Sequence, residues 1–475
     1  MGRKTKKFEV QIIEDVQIID IAEEGKGVGK HEDLVIFVEK AIPGDVVDAR
    51  IYKKKKNFAE ASIHAIKSPS KYRVEPFCTH FGVCGGCKWQ NMSYEGQLIY
   101  KQKTVSSALE RLSKTDTSEM LPILGSAKTT YYRNKLEYTF SNKRWLENQD
   151  VEISELEYNA LGFHIPGRFD KILNIDHCYL QEEPSNKIRN EIRNFCLENG
   201  ISFYDLRNHE GALRNLIIRK TSSGELMVCV VFAYPLENEI NNLMEFVKIQ
   251  FPEITSLLYI VNQKKNDTIF DQEINVYSGR DHIFEEMPSD EAHPALKFKI
   301  GVKSFYQTNS DQAYELYKIT RDFAELEPHY LVYDLYTGAG TIANFIAKEV
   351  KEVVGIEYVP DAIEDAKFNS KINDIHNTKF YAGDMKDLLT GDFIKAHGIP
   401  DVVITDPPRA GMHVDVVNRL LEMECKRIVY VSCNAATQAR DLILLKEKYK
   451  VTKIMPVDMF PHTQHVENVI QLELI

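Results

Sequence analysis

No apolar run in this 475-residue sequence is long enough to cross a bilayer. The longest is strand-length, Leu-Met-Val-Cys-Val-Val-Phe-Ala (226–233), against the roughly 18 to 20 residues that a membrane span needs. The first residues, Met-Gly-Arg-Lys-Thr-Lys-Lys, are basic but lead into no apolar segment of the secretory kind, so a cytoplasmic location is expected. No fixed-period repeat or low-complexity tract stands out, which leaves a solenoid unsupported. Positive charge is not in excess: the formal net charge is -11, which argues against a uniformly basic nucleic-acid coat but not against local basic patches. Eight cysteines in a chain of this size, in a reducing compartment, do not make a disulfide framework.

What is present is ample material for cores, with 43% hydrophobic and 27% charged residues. The length allows about two to four domains, because single cores stop growing near 250 residues. Residues 1–70 alternate apolar and polar positions between turn signals such as Gly25-Lys-Gly-Val-Gly, the pattern of short antiparallel strands closing into a small barrel. Residues 71–295 carry a cysteine-rich loop, then a helical stretch, then recurring strands including Leu-Arg-Asn-Leu-Ile-Ile-Arg (213–219), read as a central α+β domain. The helical segment at about 97–120, with Gln, Lys and Glu on a polar face, is expected to pack on the last domain. From 296 to 475 strands and helices alternate, which implies a parallel sheet with crossover helices. The fold class is therefore a multidomain α/β chain.

Three cysteines cluster in Cys78-Thr-His-Phe-Gly-Val-Cys84-Gly-Gly-Cys87, a metal or cluster spacing with glycines that let the backbone wrap a shared centre. Cys178 is the best distant candidate for a fourth ligand; His80 and His177 compete, which keeps zinc open beside an iron-sulfur cluster. Cys196, Cys229 and Cys425 read as buried apolar residues. Cys433 is different: it ends an apolar run beside Ser432 and Asn434, where a thiolate can reach a substrate.

The C-terminal third supplies the rest of a chemistry. Tyr-Leu-Val-Tyr-Asp-Leu-Tyr (330–336) is an apolar strand, Gly338 and Gly340 make a turn, and a helix begins at Thr341. Glu357 ends a second strand about twenty residues on, where a ribose's hydroxyls can be bridged. Asp384 ends a third, suited to an adenine amino group, and Asp406-Pro-Pro-Arg ends a fourth. Each carboxylate taken singly also suits a helix cap. In this order the strand ends match class I S-adenosylmethionine-dependent methyltransferases, and nothing suits hydride transfer.

Phe-Tyr-Gln-Thr-Asn (305–309), Asp-Leu-Tyr-Thr-Gly-Ala-Gly-Thr (334–341), Asp-Pro-Pro-Arg-Ala-Gly (406–411), Ser-Cys-Asn-Ala-Ala-Thr (432–437) and Met-Phe-Pro-His-Thr-Gln-His-Val-Glu-Asn (459–468) together resemble the RNA uracil-5-methyltransferase family. The N-terminal strands resemble a TRAM domain, an oligonucleotide-binding-like barrel. Cys78, Cys84, Cys87 and Cys178 are similar to the [4Fe-4S] site of the family's ribosomal-RNA branch, whose transfer-RNA branch lacks both barrel and cluster. The resemblance implies that Gln307, Tyr336, Glu357, Asp384 and Asp406 contact S-adenosylmethionine, that Cys433 is the nucleophile and Glu467 the general base, and that the substrate is RNA, 23S ribosomal RNA first. Thr341 and Ala435 depart from the pattern, which expects Asn and Pro there. No obligate protein partner is implied.

The chemistry needs these groups. Carbon 5 of uracil is a poor nucleophile until a thiolate adds to carbon 6, and after methylation a base must remove the carbon-5 proton so that the thiol leaves. Arg409 is expected to steady the enolate oxygen. Lys53 to Lys56, Arg3, Lys4, Lys6 and Lys7 are candidate phosphate contacts, and Phe58, Phe305 and Tyr306 are candidates for stacking on a flipped base. The alternatives are a transfer-RNA uracil-5-methyltransferase, a cytosine-5-methyltransferase, which places a Cys after Pro in the fourth-strand motif, and a non-catalytic RNA-binding iron-sulfur protein.

Overall fold

The computed structural model describes residues 11–22, 24–147, 154, 158–291 and 293–475. Arg3, Lys4, Lys6 and Lys7 lie outside the described residues. At the N-terminal end β1 (Gln11–Ile21), β2 (Gly27–His31), β3 (Leu34–Glu39), β4 (Val46–Lys54) and β5 (Phe58–Ser68) close into a barrel in the order β1-β2-β3-β5-β4. The barrel is not wholly antiparallel as its alternating pattern implied: β3 and β5 run parallel, because β4 returns on the far side and leaves β5 to close the ring. Inward positions are filled by Ile13, Ile18, Ile36, Val38, Val47 and Ile51. Gly29 is needed where β2 crosses β1, since a Cβ there would sit 2.5 Å from Val16 Cγ1.

The cysteine loop then leads to a helix, Tyr94–Ala108, capped by Ser93 Oγ, which accepts from the Gly96 amide at 3.3 Å. Gln97, Lys101 and Val105, four residues apart, form its buried stripe. This corrects the expectation of a polar outer face: Gln97 and Lys101 face inward because a later loop supplies polar partners for both. The helix packs beside the C-terminal sheet, where Val105 and Leu109 join a core with Leu442 and Leu445.

A mixed central sheet follows, of β6 (Lys135–Ser141), β7 (Ala160–Ile165), β8 (Arg168–Asn174), β9 (Leu213–Lys220), β10 (Leu226–Phe232), β11 (Ser256–Val261) and β12 (Asn275–Gly279), ordered β12-β11-β10-β9-β6-β7-β8. Its one parallel pairing, β10 with β11, is spanned by the helix Glu237–Gln250, as a crossover requires. β13 (His282–Met287) and β14 (Leu296–Gly301) form a separate hairpin, so residue 296, the expected start of the last domain, is the second arm of that hairpin. Ile217 and Met227 of the central sheet share one core with Ile283, Phe298, Ala343 and Phe345, which makes the seam between the two layers apolar and continuous.

The last sheet has β15 (Leu331–Leu335), β16 (Glu352–Glu357), β17 (Thr378–Ala382), β18 (Val402–Thr405), β19 (Arg427–Ser432), β20 (Tyr449–Val457) and β21 (Glu467–Leu474), in the order β17-β16-β15-β18-β19-β21-β20. The chain winds outward from β15 to β17 and then returns to β18, so the order reverses beside β15. That switch point opens a crevice at the strands' carboxyl ends, where α/β sheets bind ligands. β21 runs antiparallel between β19 and β20, which brings a strand's first residue to the crevice where its neighbours present their last.

Candidate active site

The register of β19 against β21 explains the pairing of the two residues expected to react. The ladder ends with Ser432 opposite Asn468, so Cys433, one residue past β19, and Glu467, the first residue of β21, both adjoin that last pair. Glu467 is buried; Cys433 is half-buried at the start of the helix Ala435–Leu445, whose cap is Asn434. Burial pushes the Glu467 carboxyl up to about 8, nearby Asp406 adds to the rise and Arg409 opposes it. Burial likewise raises the Cys433 thiol to about 11, with Glu467 and Asp406 reinforcing and Arg409 opposing. Asp406 and Arg409 thus lie near enough to act on both Cys433 and Glu467.

Asp406 follows β18 and is pushed up to about 7 by the burial of its carboxyl and by the charge of Asp334. Arg409 is held by its backbone: its carbonyl accepts from Thr437 Oγ1 at 3.2 Å and from Asn434 Nδ2 at 3.4 Å, both beside Cys433. Met412, at the end of the same loop, donates its amide to buried Asp441 at 2.9 Å, and Tyr430 hydroxyl donates to the same oxygen at 2.7 Å. The loop after β18 is therefore fastened to the helix that follows Cys433.

The residues expected at the cofactor surround the switch point. Glu357, at the end of β16, accepts from the Gly338 amide at 3.1 Å and from the Val359 amide at 3.0 Å, so it braces the glycine turn. Tyr336 takes φ +64, Gly338 +56 and Gly340 +74. At Gly340 a side chain would also meet Ala366 Cβ and Asn344 Nδ2, each 2.9 Å from an added Cβ. Asp384 stands two residues past β17 and caps the short helix Met385–Leu388, accepting from the Lys386 amide at 3.2 Å. Gln307 is buried, its carbonyl accepts from Asn134 Nδ2 at 2.9 Å, and among the described residues nothing hydrogen-bonds its side-chain amide. Sequence reasoning missed Asp334. It is fully buried, accepts from Thr337 Oγ1 at 2.5 Å and the Ala343 amide at 3.1 Å, and has its carboxyl raised to about 7, chiefly by burial. Its other oxygen has no partner among the described residues. The acidic residue inside the glycine motif was the signal available for it.

The candidates for stacking divide. Phe305 is 70% exposed, whereas Tyr306 is buried against Phe298 and belongs to the core. Phe58 is half-buried, edge-on to Phe37, with Lys55 Nζ 5.2 Å over its ring. Lys53 pairs with Glu60, while Lys54, Lys55 and Lys56 form no ion pair among the described residues.

Cys78, Cys84, Cys87 and Cys178 lie in one neighbourhood. Cys84 and Cys87 pack against the same core as buried Cys178, and the Asp176 amide donates to His80 Nε2 at 3.1 Å, tying the two segments. Cys84 and Cys87 have thiols raised to about 12 and about 11, first by burial and then, more weakly, by neighbouring cysteines. His177 is engaged elsewhere, with its Nε2 3.0 Å from Tyr131 hydroxyl. Among the described residues no group of three or more His, Cys, Asp or Glu is arranged to hold a metal ion, and no helix is long and apolar enough to cross a membrane.

With this geometry in place, comparison with known proteins is decisive. Residues 215–475 match the family model of tRNA (uracil-5-)-methyltransferases, and residues 7–64 match the TRAM domain. The chain belongs to the RNA uracil-5-methyltransferase family. An "Uncharacterized RNA methyltransferase" of Bacteroides thetaiotaomicron is 59% identical over 459 residues, covering 96% of this chain and all of that one. Another from Porphyromonas gingivalis is 56% identical over 466 residues, covering 96% and 99%. Among solved structures, the Pyrococcus abyssi tRNA (uracil-54, C5)-methyltransferase in complex with S-adenosyl-L-homocysteine superposes with a TM-score of 0.74 at 28% identity, over 97% of this chain and 100% of that one. The methyltransferase is thus an S-adenosylmethionine-dependent RNA-modifying enzyme with an N-terminal TRAM barrel and a Rossmann-like catalytic sheet.

Proposed function

We propose that this enzyme methylates carbon 5 of a specific uridine in RNA, 23S ribosomal RNA first, with Cys433 as nucleophile and Glu467 as base. The observation that carries the reading is that Cys433 and Glu467 both adjoin the last pair of the β19–β21 ladder, with Asp406 and Arg409 near enough to shift both. Neither a cytosine-5 enzyme's second Cys nor an amino methyltransferase's aromatic residue stands after Asp406-Pro-Pro; position 409 is Arg.

Cys433 thiolate forms a bond to carbon 6, and the carbon 5–carbon 6 double-bond electrons move toward the carbon-4 oxygen, where Arg409 is placed to receive the charge. S-adenosylmethionine, when bound, would supply an electrophilic methyl group: carbon 5 takes it with the enolate's electrons as the sulfur–methyl bond breaks, its electrons staying on the sulfur of S-adenosylhomocysteine. Glu467 then removes the carbon-5 proton; those electrons restore the double bond and expel Cys433. A carboxylate with a pKa near 8 is a stronger base than an ordinary one, which suits abstraction from carbon. Gln307, Tyr336, Glu357, Asp384 and Asp406 are assigned to the methyl donor. The Gln307 side-chain amide, which hydrogen-bonds nothing among the described residues, and the braced glycine turn fit a nucleoside ligand. Asp384 fits less directly, since its cap leaves one oxygen facing Lys386.

For the cysteines we assign a [4Fe-4S] cluster held by Cys78, Cys84, Cys87 and Cys178, with zinc the less favoured occupant. Four sulfur donors from one buried neighbourhood fit thiolate-bound iron. The domains are assigned as 1–70, 71–295 and 296–475, with the β13–β14 hairpin bridging the second boundary.

Incubation with S-adenosylmethionine carrying a labelled methyl group and unmodified ribosomal or transfer RNA tests the substrate. The label is expected as 5-methyluridine in 23S ribosomal RNA; label confined to transfer RNA, or to cytidine, would overturn that part.

A further inference from the structure

The loop between β20 and β21 delivers Glu467, yet it makes little structure of its own. Within it the Thr463 amide and hydroxyl donate to Phe460 carbonyl at 3.2 and 2.8 Å, and the Phe460 amide donates to Asp458 at 3.0 Å. The His465 amide also donates to Thr463 Oγ1 at 3.3 Å, and the other holds come from distant segments. Lys101 Nζ donates to Asp458 Oδ1 at 2.5 Å and to Phe460 carbonyl at 3.0 Å. Tyr132 hydroxyl donates to Pro461 carbonyl at 3.0 Å, and Asn309 Nδ2 to Met459 carbonyl at 3.0 Å. The densest grip falls on His462, whose φ of +65 lies in the left-handed region that a bulky residue occupies only when its surroundings insist.

Three bonds insist. The His462 amide donates to Gln97 Oε1 at 2.7 Å, Gln97 Nε2 lies 3.1 Å from His462 Nδ1, and His462 carbonyl accepts from the Lys88 and Trp89 amides at 2.8 and 3.0 Å. Gln97 is fully buried, and its Nε2 also donates to Trp89 and Met92 carbonyls at 3.1 and 2.9 Å. One amide therefore joins the end of the cysteine loop to the loop carrying the base. Trp89 extends the junction to the barrel, donating from its indole to Gly25 carbonyl at 3.2 Å.

We infer that Gln97 is a positioning residue for Glu467: by fixing the turn at His462 against the Lys88–Trp89 segment, it sets where the base stands over carbon 5. This rests on the assignment of Glu467 as base. Its signature is step-specific. Addition of Cys433 and methyl transfer precede proton removal, so a displaced Glu467 slows only release of the covalent protein–RNA adduct.

Gln97→Met keeps the volume and deletes the bonds; Gln97→Asn, neutral and one methylene shorter, loses reach with less disturbance. In single-turnover reactions with RNA substrate and labelled S-adenosylmethionine, denaturing gels would follow adduct and S-adenosylhomocysteine together. Both variants are expected to form adduct and release S-adenosylhomocysteine within about twofold of wild type. Adduct lifetime should lengthen, toward about a hundredfold for Gln97→Met, the cost of a displacement near 1 Å. Should Gln97→Met fail to fold, the lengthened lifetime in Gln97→Asn decides. Unchanged turnover, or turnover that falls without adduct accumulating, overturns the inference. Wild-type protein that forms no adduct at all defeats the mechanism itself, and is recognised by its failing before any variant is compared.

Discussion

Replacing Glu467 with Gln separates the cost of burying the base from its use. Burial, with Asp406 adding to it, holds this carboxyl near 8 rather than its ordinary 4.5, so the folded protein binds that proton more tightly than the unfolded chain. The sign follows from linkage: stability is fully present below pH 4.5 and is lost as pH rises through about 8. At about 1.36 kcal/mol per pKa unit, the loss between pH 5 and pH 9 has a ceiling of about 4 kcal/mol, and dielectric relaxation lowers it. Glu467→Gln has the same shape and no such proton. Urea unfolding at pH 5 and pH 9 is expected to give the two proteins similar stabilities at pH 5, within about 1 kcal/mol, and a variant more stable by about 2–4 kcal/mol at pH 9. The same variant should turn over about 10²- to 10⁴-fold more slowly and retain methylated RNA as a covalent adduct. Stability differences that stay equal at the two pH values, or slow turnover without adduct, would refute the placement of this carboxyl.

Lys101→Met leaves Asp458, whose second oxygen already lacks a partner, as a buried carboxylate without its cation; thermal or urea unfolding should show a loss of about 3–5 kcal/mol, partly restored by adding Asp458→Asn. Methylation under saturating substrates should rise from pH 6 to pH 9, because Glu467 must be ionised with a pKa near 8 and the Cys433 thiol sits near 11; a flat or falling profile of the stable enzyme would contradict this. Cys84→Ser, analysed after anaerobic purification, should lose iron and visible absorption together, whereas wild-type protein with stoichiometric zinc and no iron would decide for the rival metal.

The sequence announced the catalytic sheet more clearly than the contacts that hold it. Glycine turn, Glu357, Asp406 and Cys433 each follow or end an apolar run, and a parallel sheet brings such positions to one edge whatever lies between them. Glu467 was legible only through resemblance, because its place depends on β21 running antiparallel and on a register that ends the ladder beside Cys433. Gln97 and Lys101 looked like solvent-facing residues, since the partners that make burial tolerable, His462 and Asp458, lie more than 350 residues away. Tyr306 misled in the opposite direction: it shares a motif with exposed Phe305, and alternation alone decides which of the two turns inward. Asp384 was expected at the methyl donor from its place after a strand, and the structure shows it in the other use open to an acidic residue there, a helix cap.

The central claim is that Cys433 becomes bonded to carbon 6 of the uracil it methylates. RNA carrying 5-fluorouridine at the target position blocks proton removal after methyl transfer, and protease digestion followed by mass spectrometry of the trapped complex locates the bond. The account predicts the methylated fluoronucleotide on the peptide containing Cys433, and none in Cys433→Ala. A Cys433→Ala protein that still methylates uridine, or an adduct on another residue, would contradict it.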